Sequence, residues 1–76
     1  MSRGDFMLIF GTRLKAVRLE QKCSQKEVAE LLGVTVRAYQ YYEEGKREPN
    51  YDRLVALAQH LKVSTDYLLG LTNTRL

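Results

Sequence analysis

Four side chains between residues 36 and 41 have the chemistry that recognises the edges of DNA bases. Arginine donates two parallel hydrogen bonds to O6 and N7 of guanine, and glutamine either pairs similarly with N6 and N7 of adenine or reaches a phosphate. Valine packs against a thymine methyl group, and tyrosine donates to a phosphate or stacks on a sugar. We call this group the reading face; its members are Val36, Arg37, Gln40 and Tyr41.

Polar residues suited to phosphate oxygens flank the reading face. Gln25 stands at the start of a helical segment, where free backbone amides and the positive end of the helix dipole attract an anion. Lys46 offers a point charge and Arg47 a planar fork, directly after the reading face. The alternative for these two cations is a solvated loop, partly neutralised by Glu44 and Glu48.

Two further residues combine a structural role with a phosphate contact. Thr35 is an N-cap for the helix that carries the reading face, and its hydroxyl comes near a phosphate if that helix enters a groove. Capping is the more secure of its two roles. Asn50 caps the next helix and can still offer an amide donor to the DNA backbone.

Two consecutive helices are needed to hold the reading face on the surface of the protein. Ser24 and Glu27 form a capping box for a helix over Gln25–Leu32, which Gly33 ends. A second helix follows Thr35 and runs to about Glu44, where Gly45 stops it. Tyr39 and Tyr42 lie three residues apart, so we expect both to face inward and the reading face to point outward.

Three more helices complete the predicted fold. The first covers about Phe10–Lys22, the fourth Tyr51–Leu61 after Asn50, and the fifth Thr65–Leu69 between Ser64 and Gly70. No segment has the alternation of a strand, so we predict an all-α, compact five-helix bundle. The predicted core of the four longer helices consists of Phe10, Leu14, Val17, Val28, Ala29, Leu31, Leu32, Tyr39, Tyr42, Leu54, Leu57, Ala58 and Leu61.

Length and charge fit one small DNA-binding domain. The chain has 76 residues, a net charge of +3 and a pI near 9.2, which permits a polyanionic partner without requiring one. We expect a leader or tag-like segment at residues 1–8, the helix-turn-helix domain at 9–71, and a frayed tail at 72–76. No apolar run reaches the length of a membrane span, so no membrane partner is expected.

Catalytic and cofactor chemistry is not expected. Cys23 is the single cysteine and His60 the single histidine, and they lie far apart in the sequence. They make neither a metal-ligand set nor a nucleophile beside a base. The lone cysteine also fits a reducing cytoplasm. We therefore predict no enzyme, no cofactor, no metal and no small-molecule ligand.

The residues together resemble the Cro/phage-repressor type of helix-turn-helix domain, also called the xenobiotic-response-element type. The resemblance runs from about Phe10 to Gly70. It implies a lambda-repressor-like fold of five helices, double-stranded DNA as ligand, and a homodimer. The matching positions are Leu14, Arg18, Ser24-Gln25, Leu31, Gly33-Val34-Thr35, Glu43, Gly45-Lys46-Arg47, Pro49-Asn50, Leu54, Leu57-Ala58, Leu61, Val63-Ser64 and Asp66-Tyr67-Leu68-Leu69-Gly70.

The resemblance also assigns roles. It implies that Gln25 touches the DNA backbone, and that Arg18 and Glu43 form a buried or half-buried ion pair that orients two helices. Three residues depart from the family pattern. Lys22 stands where glycine is common, Cys23 where a larger aliphatic residue is preferred, and Tyr39 where Ile or Val is usual.

We therefore expect a bacterial or phage transcriptional regulator, a repressor that binds a palindromic operator as a homodimer. The alternative is a protein-interaction module, such as an antitoxin or a regulator's partner domain. That alternative would use the apolar residues near the C-terminus as a docking surface. If Tyr67 and Leu68 pack into the core, only Leu69 and Leu71 remain for self-association.

Overall fold

The computed structural model describes all 76 residues, and its only regular elements are five helices. No strand is present, so the predicted all-α bundle is confirmed. In chain order the helices are α1 (Arg3–Glu20), α2 (Gln25–Leu32), α3 (Val36–Glu44), α4 (Tyr51–Leu61) and α5 (Thr65–Leu68).

Helix α1 begins seven residues earlier than predicted. Ser2 is its N-cap and accepts a hydrogen bond from the Asp5 amide, while the Asp5 carboxylate accepts one from the Ser2 amide at 2.9 Å. This capping box starts the helix in a segment that has no one-sided apolar pattern. At the other end, Lys22 has a φ of 58°, a left-handed conformation that a helix cannot continue. The helix therefore ends at Glu20, and the predicted boundaries were wrong at both ends.

The caps of the two central helices are as predicted. Ser24 and Glu27 form the capping box of α2, and the Thr35 side chain accepts from the Ala38 amide at the start of α3. Gly33 and Gly45 end these helices with φ values of 69° and 74°, which favour glycine. The turn between α2 and α3 is therefore set by local sequence.

The core lies where all four long helices meet, with α5 closing one end. Of the thirteen predicted core residues, ten are buried and two, Leu32 and Leu54, are half-buried against the core. Leu31 was assigned wrongly, because α2 packs mainly on α3 and α4 and leaves Leu31 44% exposed. The residues the structure buries are Phe10, Gly11, Leu14, Val17, Arg18, Val28, Ala29, Tyr39, Tyr42, Leu57, Ala58, Leu61, Val63 and Leu68.

A glycine in α1 lets the end of α3 approach closely. A Cβ atom on Gly11 would lie 2.5 Å from the Glu43 carbonyl oxygen and 2.6 Å from that of Tyr42. Both distances are far shorter than a van der Waals contact. The α1–α3 packing that brings the first helix beside the C-terminal turn of α3 therefore depends on the absence of a side chain at residue 11.

The C-terminal residues fold back onto the bundle, which differs from the frayed tail predicted for 72–76. The Arg13 guanidinium donates to the carbonyl oxygens of Tyr67 and Thr72, at 2.7 and 2.6 Å. Arg75 pairs with Glu20, and the Arg75 carbonyl oxygen accepts from the Ser64 amide at 2.6 Å. The Arg13–Tyr67 and Arg75–Glu20 partners lie more than fifty residues apart in the sequence, so no local pattern signals these contacts.

Candidate nucleic-acid interface

Helix α3 has a buried side and an outward side, as the tyrosine spacing predicts. Tyr39 is fully buried and Tyr42 is 5% exposed, with their rings in edge-to-face contact. On the outward side Val36 is 38% exposed and Arg37 is exposed. Gln40 and Tyr41 are half-buried. The four members of the reading face are therefore all at least partly accessible, and Val36 and Arg37 are more exposed than Gln40 and Tyr41.

The Arg37 guanidinium lies along the outer surface of α3 towards its C-terminus. Its Nη1 donates to Gln40 Oε1 at 3.2 Å and lies 3.9 Å from Glu44 Oε2. Its Cζ atom is 4.7 Å from the centroid of the Tyr41 ring. Arg37 is therefore held by neighbours one and two turns along its own helix while most of its donors stay free.

Tyr41 gathers three cations around its ring. Besides Arg37, the Arg47 guanidinium lies 5.0 Å from the ring centroid and the Lys46 ammonium 6.0 Å. The electron-rich face of an aromatic ring attracts cations, which offsets part of their mutual repulsion. The result is a concentrated positive patch beside the reading face, where an anion such as a phosphate would be favourable.

Carboxylates neutralise this patch only in part. Lys46 Nζ lies 3.2 Å from Glu44 Oε1, whereas Glu48 pairs with Arg3 at the start of α1. Arg47 has no carboxylate partner. The alternative of a solvated loop requires both Glu44 and Glu48 to neutralise Lys46 and Arg47. Only Glu44 pairs with one of these cations, because Glu48 pairs with Arg3.

The other predicted contact residues, Gln25, Thr35 and Asn50, lie at the starts of α2, α3 and α4. Thr35 and Asn50 are both exposed and act as N-caps, with Asn50 Oδ1 accepting from the Arg53 amide at 2.9 Å. This bond uses the oxygen of the Asn50 amide and leaves its NH₂ group available. Gln25 is the first residue of α2 and is half-buried against α3.

A hydrogen-bonded connection between α2 and α3 was not foreseen from the sequence. Gln25 Oε1 accepts from Gln40 Nε2 at 3.1 Å, and Gln25 Nε2 donates to Glu43 Oε1 at 3.1 Å. These residues are 15 and 18 positions apart in the chain, so no local pattern links them. The structure thus links Gln25, a predicted phosphate contact, to Gln40, a predicted base contact, and to the buried carboxylate of Glu43.

That carboxylate belongs to the ion pair that the family resemblance implies. Arg18 Nε and Nη2 donate to the two oxygens of Glu43, at 2.5 and 3.2 Å. The two side chains are only 8% and 3% exposed. Tyr39 also donates its hydroxyl to Glu43 at 2.6 Å, and Arg18 Nη1 donates to the Cys23 carbonyl oxygen at 2.9 Å. The predicted Arg18–Glu43 pair is therefore confirmed, with α1, α2 and α3 all fixed to it.

The pKa values around this pair keep both partners charged. Burial raises the pKa of Glu43, but hydrogen bonds from Arg18, Tyr39 and Gln25 outweigh that effect and hold it below its ordinary value. The bond to Glu43 raises the pKa of Arg18, and burial together with the same carboxylate raises that of the Tyr39 hydroxyl. At neutral pH the centre is an ionised pair with a neutral tyrosine.

No group of three or more His, Cys, Asp or Glu side chains is close enough together to hold a metal ion. None of the five helices combines the length and apolar character that a bilayer crossing requires. Cys23 is half-buried and packs against the core.

Comparison with known proteins identifies the family. The sequence profile described as "Helix-turn-helix" matches residues 14–68, which is well over half of the chain. The chain belongs to the helix-turn-helix family, as its capped pair α2–α3 and its all-helical bundle indicate. This agrees with the resemblance drawn from the sequence.

Two curated relatives come from Bacillus subtilis (strain 168). The chain is 44% identical over 61 residues to the uncharacterized HTH-type transcriptional regulator YqaE, covering 80% of this chain and 53% of that protein. It is 43% identical over 67 residues to the SPbeta prophage-derived uncharacterized HTH-type transcriptional regulator YonR, covering 88% and 62%. The chain thus spans little more than half the length of these relatives.

A solved structure is similar in both sequence and fold. It is the P22 c2 repressor protein in complex with synthetic operator 9T, with 37% sequence identity and a TM-score of 0.74. The match covers 79% of this chain and 91% of that one. The predicted lambda-repressor-like fold is therefore confirmed.

Proposed function

We propose that this chain binds double-stranded DNA in a sequence-specific manner, with α3 in the major groove. One observation carries the proposal. The outward side of α3 presents an exposed Val36 and an exposed Arg37, and Arg37 is one of three cations around the Tyr41 ring, with Lys46 and Arg47. A surface with no ligand has little reason to hold like charges together, whereas a duplex supplies both phosphates and base edges.

Within this proposal the contacts divide into two classes. Arg37 donates to guanine O6 and N7, and Val36 packs against a thymine methyl group. Tyr41 lies between a sugar or base edge and the cations that reach the adjoining phosphates. The phosphate contacts come from the start of α2 and from the residues on either side of α3. They are Gln25, Thr35, Lys46, Arg47 and Asn50.

The similarity to known proteins supports a role in transcription. The Bacillus relatives carry the name transcriptional regulator, and the P22 protein is a repressor in complex with an operator. We infer that this chain is the DNA-binding part of a bacterial or phage transcriptional repressor that works in the cytoplasm.

We further propose that two copies bind a palindromic site. One α3 of nine residues reads only a few base pairs, and one small module buries about 600–1,000 Å² on DNA. Two copies related by a two-fold axis double that surface and place half-site centres about 34 Å apart. Leu68 is fully buried and Tyr67 packs against the core, which leaves Leu69 and Leu71 for self-association. Leu69 is half-buried and Leu71 is 63% exposed, so we propose Leu71 as the contact between copies.

Selection of bound duplexes from random DNA tests sequence reading. We expect an enriched palindromic sequence, bound at about 150 mM salt at least about a thousandfold more tightly than a shuffled duplex of equal composition. Equal binding to both duplexes would contradict sequence-specific reading.

Sedimentation velocity tests the homodimer. With the selected duplex, the complex should have the mass of two chains per duplex. Leu71→Asp should shift the concentration needed for the second chain to bind, while Leu19→Asp, an equally polar change at an exposed leucine of α1, should not. A mass of one chain per duplex at saturation would contradict the dimer.

A further inference from the structure

Three hydrogen bonds form a continuous line from Arg37 on the outside of α3 to Glu43 in the interior. Arg37 Nη1 donates to Gln40 Oε1 at 3.2 Å, and Gln40 Nε2 donates to Gln25 Oε1 at 3.1 Å. Gln25 Nε2 then donates to Glu43 Oε1 at 3.1 Å. We call this line the polar chain; its members are Arg37, Gln40, Gln25 and Glu43.

The two ends of the polar chain fix the orientation of both amides. Arg37 has only donors, so it requires the oxygen of Gln40. Glu43 is ionised and only accepts, so it requires the NH₂ group of Gln25. Gln40 must then point its NH₂ group at the oxygen of Gln25, because the reverse orientation would place two oxygens or two NH₂ groups face to face. Every link is satisfied in this one arrangement.

This arrangement already occupies one acceptor site and one N–H of Gln40, the residue for which the sequence predicts a bidentate adenine contact. Such a contact needs the oxygen to accept from adenine N6 while the NH₂ group donates to N7. In the protein the Gln40 oxygen accepts from Arg37 and one N–H faces Gln25. Arg37, by contrast, uses one of five N–H donors and keeps four for a guanine and a phosphate.

We propose that Gln40 is a positioning residue, which orients Arg37 through the polar chain instead of reading a base itself. The inference rests on the proposed DNA-binding function. Gln40 ties the exposed guanidinium to Gln25 and, through it, to a carboxylate that α1 also holds. Specificity at the base pair read by Arg37 then depends on residue 40.

The position of the affected base pair provides the test. Binding sites are selected from random duplex DNA with the wild type, Arg37→Ala, Gln40→Leu and the control Gln59→Leu. Gln59 is exposed on α4 and makes no side-chain hydrogen bond, so it matches the chemical change. We expect Gln40→Leu and Arg37→Ala to relax preference at the same base pair, the former by on the order of threefold to tenfold. Gln59→Leu should reproduce the wild-type preference.

A conservative variant separates positioning from direct reading. Gln40→Glu keeps the acceptor for Arg37 but loses the donor to Gln25, so guanine preference at that pair should weaken less than with Gln40→Leu, even though overall affinity falls. If Gln40 reads adenine directly, Gln40→Glu would instead change the preferred base at another pair towards cytosine, whose N4 donates to a carboxylate. Such a change, or relaxation by Gln40→Leu at a pair that Arg37→Ala leaves intact, would overturn the proposal.

Two further measurements complete the design. In an Arg37→Ala background, adding Gln40→Leu should alter base preference no further, because the residue it positions is gone. Thermal unfolding of each variant shows that a changed preference does not come from unfolding. Failure of the proposed function itself looks different, since the wild type would then enrich no sequence at all.

Discussion

Two adjacent carboxylates at the end of α3 have opposite surroundings. Glu43 is buried and accepts hydrogen bonds from Arg18, Tyr39 and Gln25. Glu44 faces solvent, where it lies 3.2 Å from Lys46 and 3.9 Å from Arg37. One residue step turns a side chain by about 100° around a helix, which here separates the interior from the candidate DNA surface.

The difference shows how one helix carries both stability and recognition. The interior carboxylate joins α1, α2 and α3 and would leave an uncompensated charge if its partner were removed. The exposed carboxylate makes pairs that solvent screens strongly, so they contribute little to folding. Substitutions on the two sides of α3 should therefore separate a loss of fold from a loss of binding.

Glu43→Ala should have the largest effect on folding. It leaves Arg18 buried without a counter-charge and should lower the free energy of unfolding by about 3–5 kcal/mol. DNA affinity should fall as a consequence of unfolding. Thermal unfolding measures the loss, with Glu44→Ala as the matched control. An unchanged melting temperature for Glu43→Ala would contradict the structural role of the pair.

Acid should weaken the fold through the same carboxylate. The pKa of Glu43 is lower in the folded protein than its ordinary value of 4.5, so its contribution to stability is fully present above pH 4.5. That contribution is lost as pH falls through the folded pKa. Urea unfolding from pH 7 to pH 3 should therefore give a steeper decline for the wild type than for Glu43→Gln. Parallel curves would show that Glu43 does not titrate as described.

Removing an outer cation should weaken binding without changing sequence preference. Lys46→Ala and Arg47→Ala should each lower affinity for any duplex and reduce the slope of log K against log salt by about 0.9. Lys15→Ala is the matched control, because Lys15 is exposed on α1 and has no carboxylate partner. Anisotropy titrations at several salt concentrations measure both quantities. If Lys15→Ala reduced the salt slope as much as Lys46→Ala or Arg47→Ala, the effect would come from overall charge and not from a phosphate contact.

Glu44→Gln should have the smallest effect on stability, within about 0.5 kcal/mol, because its pairs are exposed. Affinity for DNA should rise slightly at low salt, since a negative charge leaves the patch around Tyr41. Chemical unfolding and anisotropy measure the two effects. A loss of stability as large as that of Glu43→Ala would remove the contrast between the two carboxylates.

The parts of the fold that local chemistry decides were predictable from the sequence. The caps at Ser24, Thr35 and Asn50 involve residues three apart, and the tyrosine spacing of α3 predicts which side is buried. The start of α1 carried a similar signal in Ser2 and Asp5, but no apolar pattern follows it there. Contacts between distant residues had no such signal. The Gln25–Gln40 bond and the return of the C-terminus to Arg13 depend on packing that a single sequence does not display.

We expect DNA to bind on the outward side of α3. Amide chemical-shift mapping by NMR, with the labelled protein titrated by a selected duplex, tests it most directly. We expect the shifts to concentrate at the start of α2, at residues 35–41 and at residues 45–47. Shifts confined to the exposed faces of α1 and α4, with residues 36–41 unperturbed, would contradict the account.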